Sequence, residues 1–268
     1  MAAVERLRIY PVKGLDGMAV DTSEITDGGT LAGDREFALI TEDGTRFNGK
    51  QSSRIHELAT EFDPASGRLT IDSPAGDLAV FDLHEEEGRD RAATWFEDVF
   101  DQVPLELRRD TEQGFVDRTS MGPSVISTAT LEAVASWFEE LTVESARRRL
   151  RANVEIAGVP AFWEDRFVGE GARAFEAGGV RFEGVTPCAR CAIPARDPDT
   201  GEPLPEFRSR FIEKRRETFP EWADEDAFDH YFTMMLIARI PEQFRDGTIS
   251  VGDRVSVADS DEREPTWK

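Results

Sequence analysis

The chain has 268 residues, with 32 basic and 54 acidic side chains and a formal net charge of −22. That length supports one large domain or two modest ones, and so acidic a balance argues against general nucleic-acid or anionic-membrane binding. No run approaches the roughly 20 apolar residues that cross a bilayer. Glu5 in "MAAVERLRIYPVKG" stands where a secretory signal needs an apolar stretch, so a cytoplasmic protein is expected. Only four lysines occur, Lys13, Lys50, Lys214 and Lys268. An acid-rich, lysine-poor surface suits a halophile-like setting in which salt screens self-repulsion, and no function follows from it.

The first hundred residues read mostly as β. "RLRIYPV" alternates, with Leu7, Ile9 and Pro11 on one side, and "REFALIT" places Phe37 and Leu39 alike. "RLTID" and "DLAVFDL" follow, set off by the turn signals "DPASG" and "SPAGD". "RDRAATWFEDVF" repeats Ala92, Trp95, Phe96 and Val99 at helical spacing, the pattern of a core-facing helix. "DQVPLELRRD" returns to strand, and "DRTSMGPSV" reads as a loop.

"ISTATLEAVASWFEELT" is the clearest helix signal. Ser127 or Thr128 is the candidate cap, and Leu131, Val134, Phe138 and Leu141 form the apolar stripe. The free N–H groups at such a start suit an anion, although an ordinary cap satisfies the same pattern. Arg147, Arg148, Arg149 and Arg151 then run into the strand-like "NVEIAG". The alternation puts Arg151 and Asn153 on one side of that strand, a pairing suited to a phosphate and a heterocycle edge. "GGVRFEGVTP" and "TISVGDRVSVAD" are further strands around a charged, helical insert, while "YFTMMLIARI" reads as buried core. Many short strands with a few helices indicate an α+β fold of β-barrel type, divided near residue 105 into units 1–104 and 105–268.

The chemistry concentrates in "GVTPCARCAIPARDPDTGEP", which holds both cysteines, Cys188 and Cys191. His56, His84 and His230 are scattered without ligand spacing, so structural zinc is not expected. The cysteine spacing suits a dithiol redox pair, but a strand entering a Pro-rich loop is not the helix opening such a pair occupies. Arg190 beside Cys191 favours a thiolate, hence a nucleophile or a soft-metal ligand, and spacing alone leaves that choice open.

This stretch resembles the cysteine motif of MOSC-domain proteins. It is similar in particular to that of the mitochondrial amidoxime-reducing component and its bacterial relatives. "LRIYPVKGLDG", "AGDREFALI", "FNGKQSSRI", "VISTATLEAV", "RRRLRANVEIAG", "FDHYFTM" and "GTISVGDRV" fall in the family's order over about residues 4–257. The resemblance implies a MOSC-type β-barrel with flanking helices behind an N-terminal β-rich domain. It also implies a molybdenum cofactor, Mo-molybdopterin, with Cys191 as the metal ligand and catalytic residue and Cys188 as a bystander. Lys13, Arg35, Lys50, Ser127, Arg151, Asn153 and Arg190 match cofactor-contacting positions. Lys50 stands where relatives often carry arginine, and Ala189 where some carry serine.

The implied activity is reduction of N-hydroxylated small molecules with electrons from a separate ferredoxin or flavoprotein-type donor, since two cysteines hold no iron–sulfur cluster by themselves. The alternatives are a cofactor carrier or sulfur-transfer protein and, more distantly, a thiol–disulfide protein or a binding module with incidental cysteines.

Overall fold

In a computed structural model, the structure describes residues 1–74, 76, 78–101, 104–117 and 121–258. Parts of the expected "SPAGD" turn, the "DQVPLELRRD" strand, the "DRTSMGPSV" loop and the end of "TISVGDRVSVAD" lie outside the described residues.

The strands in chain order begin with β1 (Ala3–Ile9), β2 (Met18–Val20), β3 (Thr22–Glu24), β4 (Phe37–Thr41), β5 (Ala59–Asp63), β6 (Arg68–Asp72) and β7 (Leu78–Asp82). Helix α1 (Glu86–Phe100) and strands β8 (Leu105–Arg109) and β9 (Ser124–Ser127) follow, then helices α2 (Thr128–Ser136) and α3 (Val143–Leu150). Strands β10 (Val154–Ala157), β11 (Ala174–Ala177) and β12 (Val180–Ala189) precede helix α4 (Phe207–Glu217), and β13 (Thr233–Arg239), β14 (Thr248–Ser250) and β15 (Val255–Val257) complete the chain.

Among the described residues, eight strands form one sheet in the order β15-β11-β12-β13-β9-β10-β1-β2, and only β9 and β10 are parallel neighbours in it. β4 pairs with β8, β3 with β14, and β5–β7 make an antiparallel meander. This is a mixed α+β fold, as the strand and helix pattern predicts. Sheet membership crosses residue 105, because β1 pairs with β10 and β3 with β14.

Three apolar clusters hold these layers together. One, including Leu7, Val125, Val154 and Phe182, lies under the large sheet. A second gathers residues between Val12 and Leu107 around the meander and α1, with Phe96 fully buried in it. The third packs α2, α3 and α4 through Leu131, Phe138, Leu150, Phe207 and Phe211.

Two local differences from the sequence pattern matter for the site. The helix predicted to run to Leu141 ends at Ser136, and a second helix, α3, begins after Thr142, whose side chain accepts from Ser145 N at 3.1 Å. Arg147, Arg148 and Arg149 therefore lie in the last turn of a helix, where cations complement its dipole, rather than leading into a strand. Arg151 is the left-handed cap of that helix, at φ 59°, and β10 begins only at Val154, so neither Arg151 nor Asn153 is on the strand and the expected alternation does not join them.

Candidate functional site

The site grows out of the turn from α3 into β10. In the left-handed conformation at Arg151 its N–H bonds back to Arg147 O at 3.0 Å and the chain reverses direction. The side chain is carried across the Tyr10 ring, with the guanidinium carbon 4.1 Å from the ring centroid. Its Nη2 donates to Leu15 O at 2.7 Å. Arg35, also left-handed at φ 53°, holds its guanidinium 5.2 Å from the same ring.

Arg151 borders an open cleft that Arg8, Arg148, Arg149, Arg196 and His56 also line. Most of these guanidiniums are fixed by backbone carbonyls: Arg8 by Gly17 O at 2.9 Å, Arg149 by Pro194 O at 3.2 Å and Arg196 by Gly201 O at 3.0 Å. A carbonyl orients a guanidinium without neutralising it. Carboxylates enter at the rim, where Arg148 grips Asp199 with two hydrogen bonds and Arg149 reaches Asp197 at 3.2 Å. Among the described residues Arg151 makes no ion pair, and burial pushes its proton affinity down. Among the described residues Arg8, Arg148 and Arg149 thus have carboxylates within ion-pair range, Glu144, Asp199 and Asp197, and Asp16 also lines the cleft. Arg151 and Arg196 keep their charge without an ion pair among those residues, in a chain of net charge −22.

The cysteine loop lies beside this cleft. β12 and β13 slip register between Gly184 and Thr186 and again between Pro187 and Ala189, where a proline cannot donate to the ladder. Cys188 is therefore in the irregular last stretch of β12, and Cys191 is two residues beyond its end. Both thiols are free and partly exposed. Arg190 N donates to Phe232 O at 2.8 Å, and its Nη2 to Leu150 O at 3.0 Å, so one side chain ties this loop to the end of α3. The Arg190 guanidinium, expected against Cys191, has its Nη1 3.3 Å from Cys188 Sγ. Ile193 and Arg196, just past Cys191, line the arginine cleft.

Other predicted site residues fall into two groups. Lys13 donates to Phe115 O at 2.9 Å and Asp117 Oδ1 at 2.8 Å, and burial lowers its proton affinity while Asp117 opposes that. Burial works against the charge on Asp117, but Lys13, Arg35 and Lys50 outweigh it and hold the carboxyl below its usual range. Lys13, Arg35 and Lys50 therefore converge on one neighbourhood, with Lys50 exposed. Asn153 is buried beneath it, and its Oδ1 accepts from Ser124 N at 3.1 Å, Ser124 Oγ at 2.9 Å and Arg35 Nη1 at 3.3 Å. Its Nδ2 donates to Arg8 O at 3.1 Å, so Asn153 supports the residues that carry Arg35 and Arg8.

Ser127 lies apart. It is fully buried as the cap of α2, and its Oγ accepts from Thr130 N at 3.1 Å. The acceptor at this helix start is internal: Ser127 N donates to Glu164 Oε2 at 3.3 Å. Burial, then the neighbouring Asp165, pushes the Glu164 carboxyl up to about 8.

The sequence pattern missed Tyr10, Arg8, Arg196 and His56 as parts of the site. Arg196 follows the cysteine motif directly, the one signal available for it; the other three become neighbours only through tertiary folding.

With this geometry established, comparison with known proteins is informative. The profile of the MOSC N-terminal beta barrel domain matches residues 1–144, and that of the MOSC domain matches residues 122–256. The chain belongs to the MOSC-domain family. This MOSC protein is 25% identical to mitochondrial amidoxime reducing component 2 of Bos taurus over 252 residues, covering 78% of this chain and 72% of the relative. It is 27% identical to mitochondrial amidoxime-reducing component 1 of Mus musculus, covering 95% of this chain and 82% of the relative. It is also 24% identical to a molybdenum cofactor sulfurase of Caenorhabditis briggsae, over 76% of this chain but only 30% of that longer protein. The family resemblance carried by the cysteine motif is thus borne out, and the MOSC protein falls among molybdenum-cofactor-related proteins. Among its described residues no helix is long and apolar enough to cross a membrane.

Proposed function

We propose that the arginine cleft and Cys191 together hold a molybdenum-bearing, phosphate-bearing pterin, and that the protein reduces N-hydroxylated small molecules with electrons from a separate donor. The observation that carries this reading is the cleft: several arginines anchored by carbonyls, with a half-buried Arg151 that makes no ion pair among the described residues, in an otherwise acidic chain. A phosphate fits such a site because fork-shaped guanidiniums match its oxygens.

The donor set fits a metal only in one way. Among the described residues no group of three or more His, Cys, Asp or Glu side chains is placed to hold a metal ion. A metal here would arrive with ligands of its own, and one soft thiolate, Cys191, would complete them. The cofactor would supply two-electron chemistry, by which an N–O bond takes up two electrons and two protons and yields an N–H group and water. The chain's part is to bind and orient. Arg151, Arg149 and Arg196 would neutralise the phosphate, Lys13 and Arg35 would meet the polar edge of the pterin, and Arg190 would fix the loop that carries Cys191. Ser127 would act as the helix cap, with its local hydrogen bonds already filled.

A second reading, transfer or carriage of the cofactor or its sulfur, draws support from the similarity to molybdenum cofactor sulfurases. One experiment separates the two. Protein from a cofactor-producing host is supplied with benzamidoxime and reduced methyl viologen, and benzamidine is quantified. Turnover with viologen and none with NADH alone supports the reductase with a separate donor. Bound cofactor without turnover, together with cyanide-releasable sulfur on Cys191, supports the carrier.

A further inference from the structure

His56 enters the cleft from a different part of the chain than four of its five arginines. It sits on the short 3-10 turn Ser53–Glu57, whereas Arg148, Arg149, Arg151 and Arg196 come from α3 and the loop after Cys191. Its Nε2 is buried and has no hydrogen-bond partner among the described residues. A buried polar atom without a partner is destabilising, so a folded chain keeps one chiefly where something else satisfies it.

The surroundings show where that partner would stand. A Cβ added to Gly49 would lie 2.9 Å from His56 Nε2 and 2.8 Å from Ile193 Cδ1, so the glycine leaves open the space in front of the nitrogen. A Cβ on Gly201 would lie 3.5 Å from His56 Cβ, which places the imidazole between the 48–50 loop and the loop that carries Arg196. Burial, then Arg151 and Arg196, lowers the proton affinity of the ring, while Asp16 and Asp197 act in the opposite sense. A neutral imidazole carries a single N–H, and an anion set against the unpartnered Nε2 would draw the proton to that atom or favour the cation once it offsets the guanidiniums.

We propose that His56 is an anion-recognition residue of the arginine cleft, its Nε2 donating a hydrogen bond to the phosphate-bearing group that the arginines hold. This rests on the reading that the cleft takes an anion, and it adds a contact from the Ser53–Glu57 turn to a cleft whose arginines come from Arg8, α3 and the loop after Cys191. A hydrogen bond to a charged acceptor supplies about a tenfold gain in affinity.

The test uses the full chain from a host unable to make the pterin, with inorganic pyrophosphate as the probe at low salt. Calorimetry is run on wild type, His56→Gln, His56→Phe and Arg151→Ala. The expected result is binding by wild type, about tenfold weaker binding by His56→Phe and an intermediate value for His56→Gln, whose amide restores a donor. Imidazole NMR on the wild type gives a readout that does not depend on variants folding. The His56 signals should move on adding pyrophosphate, while those of His84 and His230 stay in place. Wild-type affinity in His56→Phe, with binding abolished in Arg151→Ala, would overturn the role of His56 and leave the anion cleft standing. A wild type that binds no pyrophosphate would overturn the cleft reading and this proposal together.

Discussion

The Arg151 guanidinium lies 4.1 Å from the centroid of the Tyr10 ring, on a backbone held left-handed at φ 59°. An L-residue other than glycine gives up roughly 1–2 kcal/mol in that conformation. The ring contact contributes about 0.5–2 kcal/mol, and the bond to Leu15 O about 1 kcal/mol. Strain and contacts nearly cancel, so Arg151→Gly is expected to fold within about 1 kcal/mol of wild type in urea titrations. The same variant should retain far less pterin, measured by fluorescence after oxidation. A large stability loss would show that Arg151 is chiefly a structural residue.

Asn153 is predicted to serve stability first. Asn153→Ala strips the acceptor shared by Ser124 N, Ser124 Oγ and Arg35, and leaves Arg8 O without its side-chain donor. Buried groups orphaned in this way cost about 2–4 kcal/mol in total, readable as a lower urea midpoint with an unchanged slope. A variant as stable as wild type would contradict that role.

Glu164 gives a pH dependence with a defined sign. Its folded carboxyl is raised from 4.5 to about 8, first by burial and then by Asp165. Folding therefore favours the protonated form. The stabilisation is complete below the unfolded value of 4.5 and is lost as pH rises towards 8. Glu164→Gln keeps an acceptor for Ser127 N and cannot ionise. Its melting temperature should fall less than that of wild type between pH 5 and pH 8, and parallel melting curves would contradict the assignment.

Arg215 is fully buried, lies 4.6 Å from the Phe162 ring centroid and 5.0 Å from that of Phe219, and pairs with Asp165. Arg215→Ala leaves Asp165 without its partner, and about 3–5 kcal/mol of stability should be lost. The double variant Arg215→Met with Asp165→Leu should lose much less, because no uncompensated charge remains. Equal losses in the two would show that ring packing, and not the charge pair, dominates.

How much of this was legible in the sequence depends on where each signal resides. Strands β1, β4, β6 and β7 and helix α1 follow alternation or helical periodicity that is local to each segment. Helix α3 did not show itself, because among eight residues only Val143, Ala146 and Leu150 are apolar and the run of arginines masks the stripe. Its marks were the Thr142 cap and the basic last turn, weak signs without the packing that stabilises a short helix. The start of α2 was legible, but the carboxyl group that fills it comes from Glu164, 37 residues on. The cysteine motif was visible as a string, yet which thiol Arg190 touches depends on how the loop past β12 folds back on Leu150 and Phe232. His56 carried no sequence signal, since an unpartnered nitrogen is a property of the folded cleft.

The central claim is that Cys191 and the arginine cleft hold a molybdenum-bearing pterin. The most direct measurement is the molybdenum and pterin content of wild type, Cys188→Ala and Cys191→Ala, purified side by side from a cofactor-producing host. The account predicts stoichiometric metal and pterin in wild type and Cys188→Ala, with metal lost from Cys191→Ala. A well-folded wild type carrying neither, or a Cys191→Ala variant that keeps both, would contradict it.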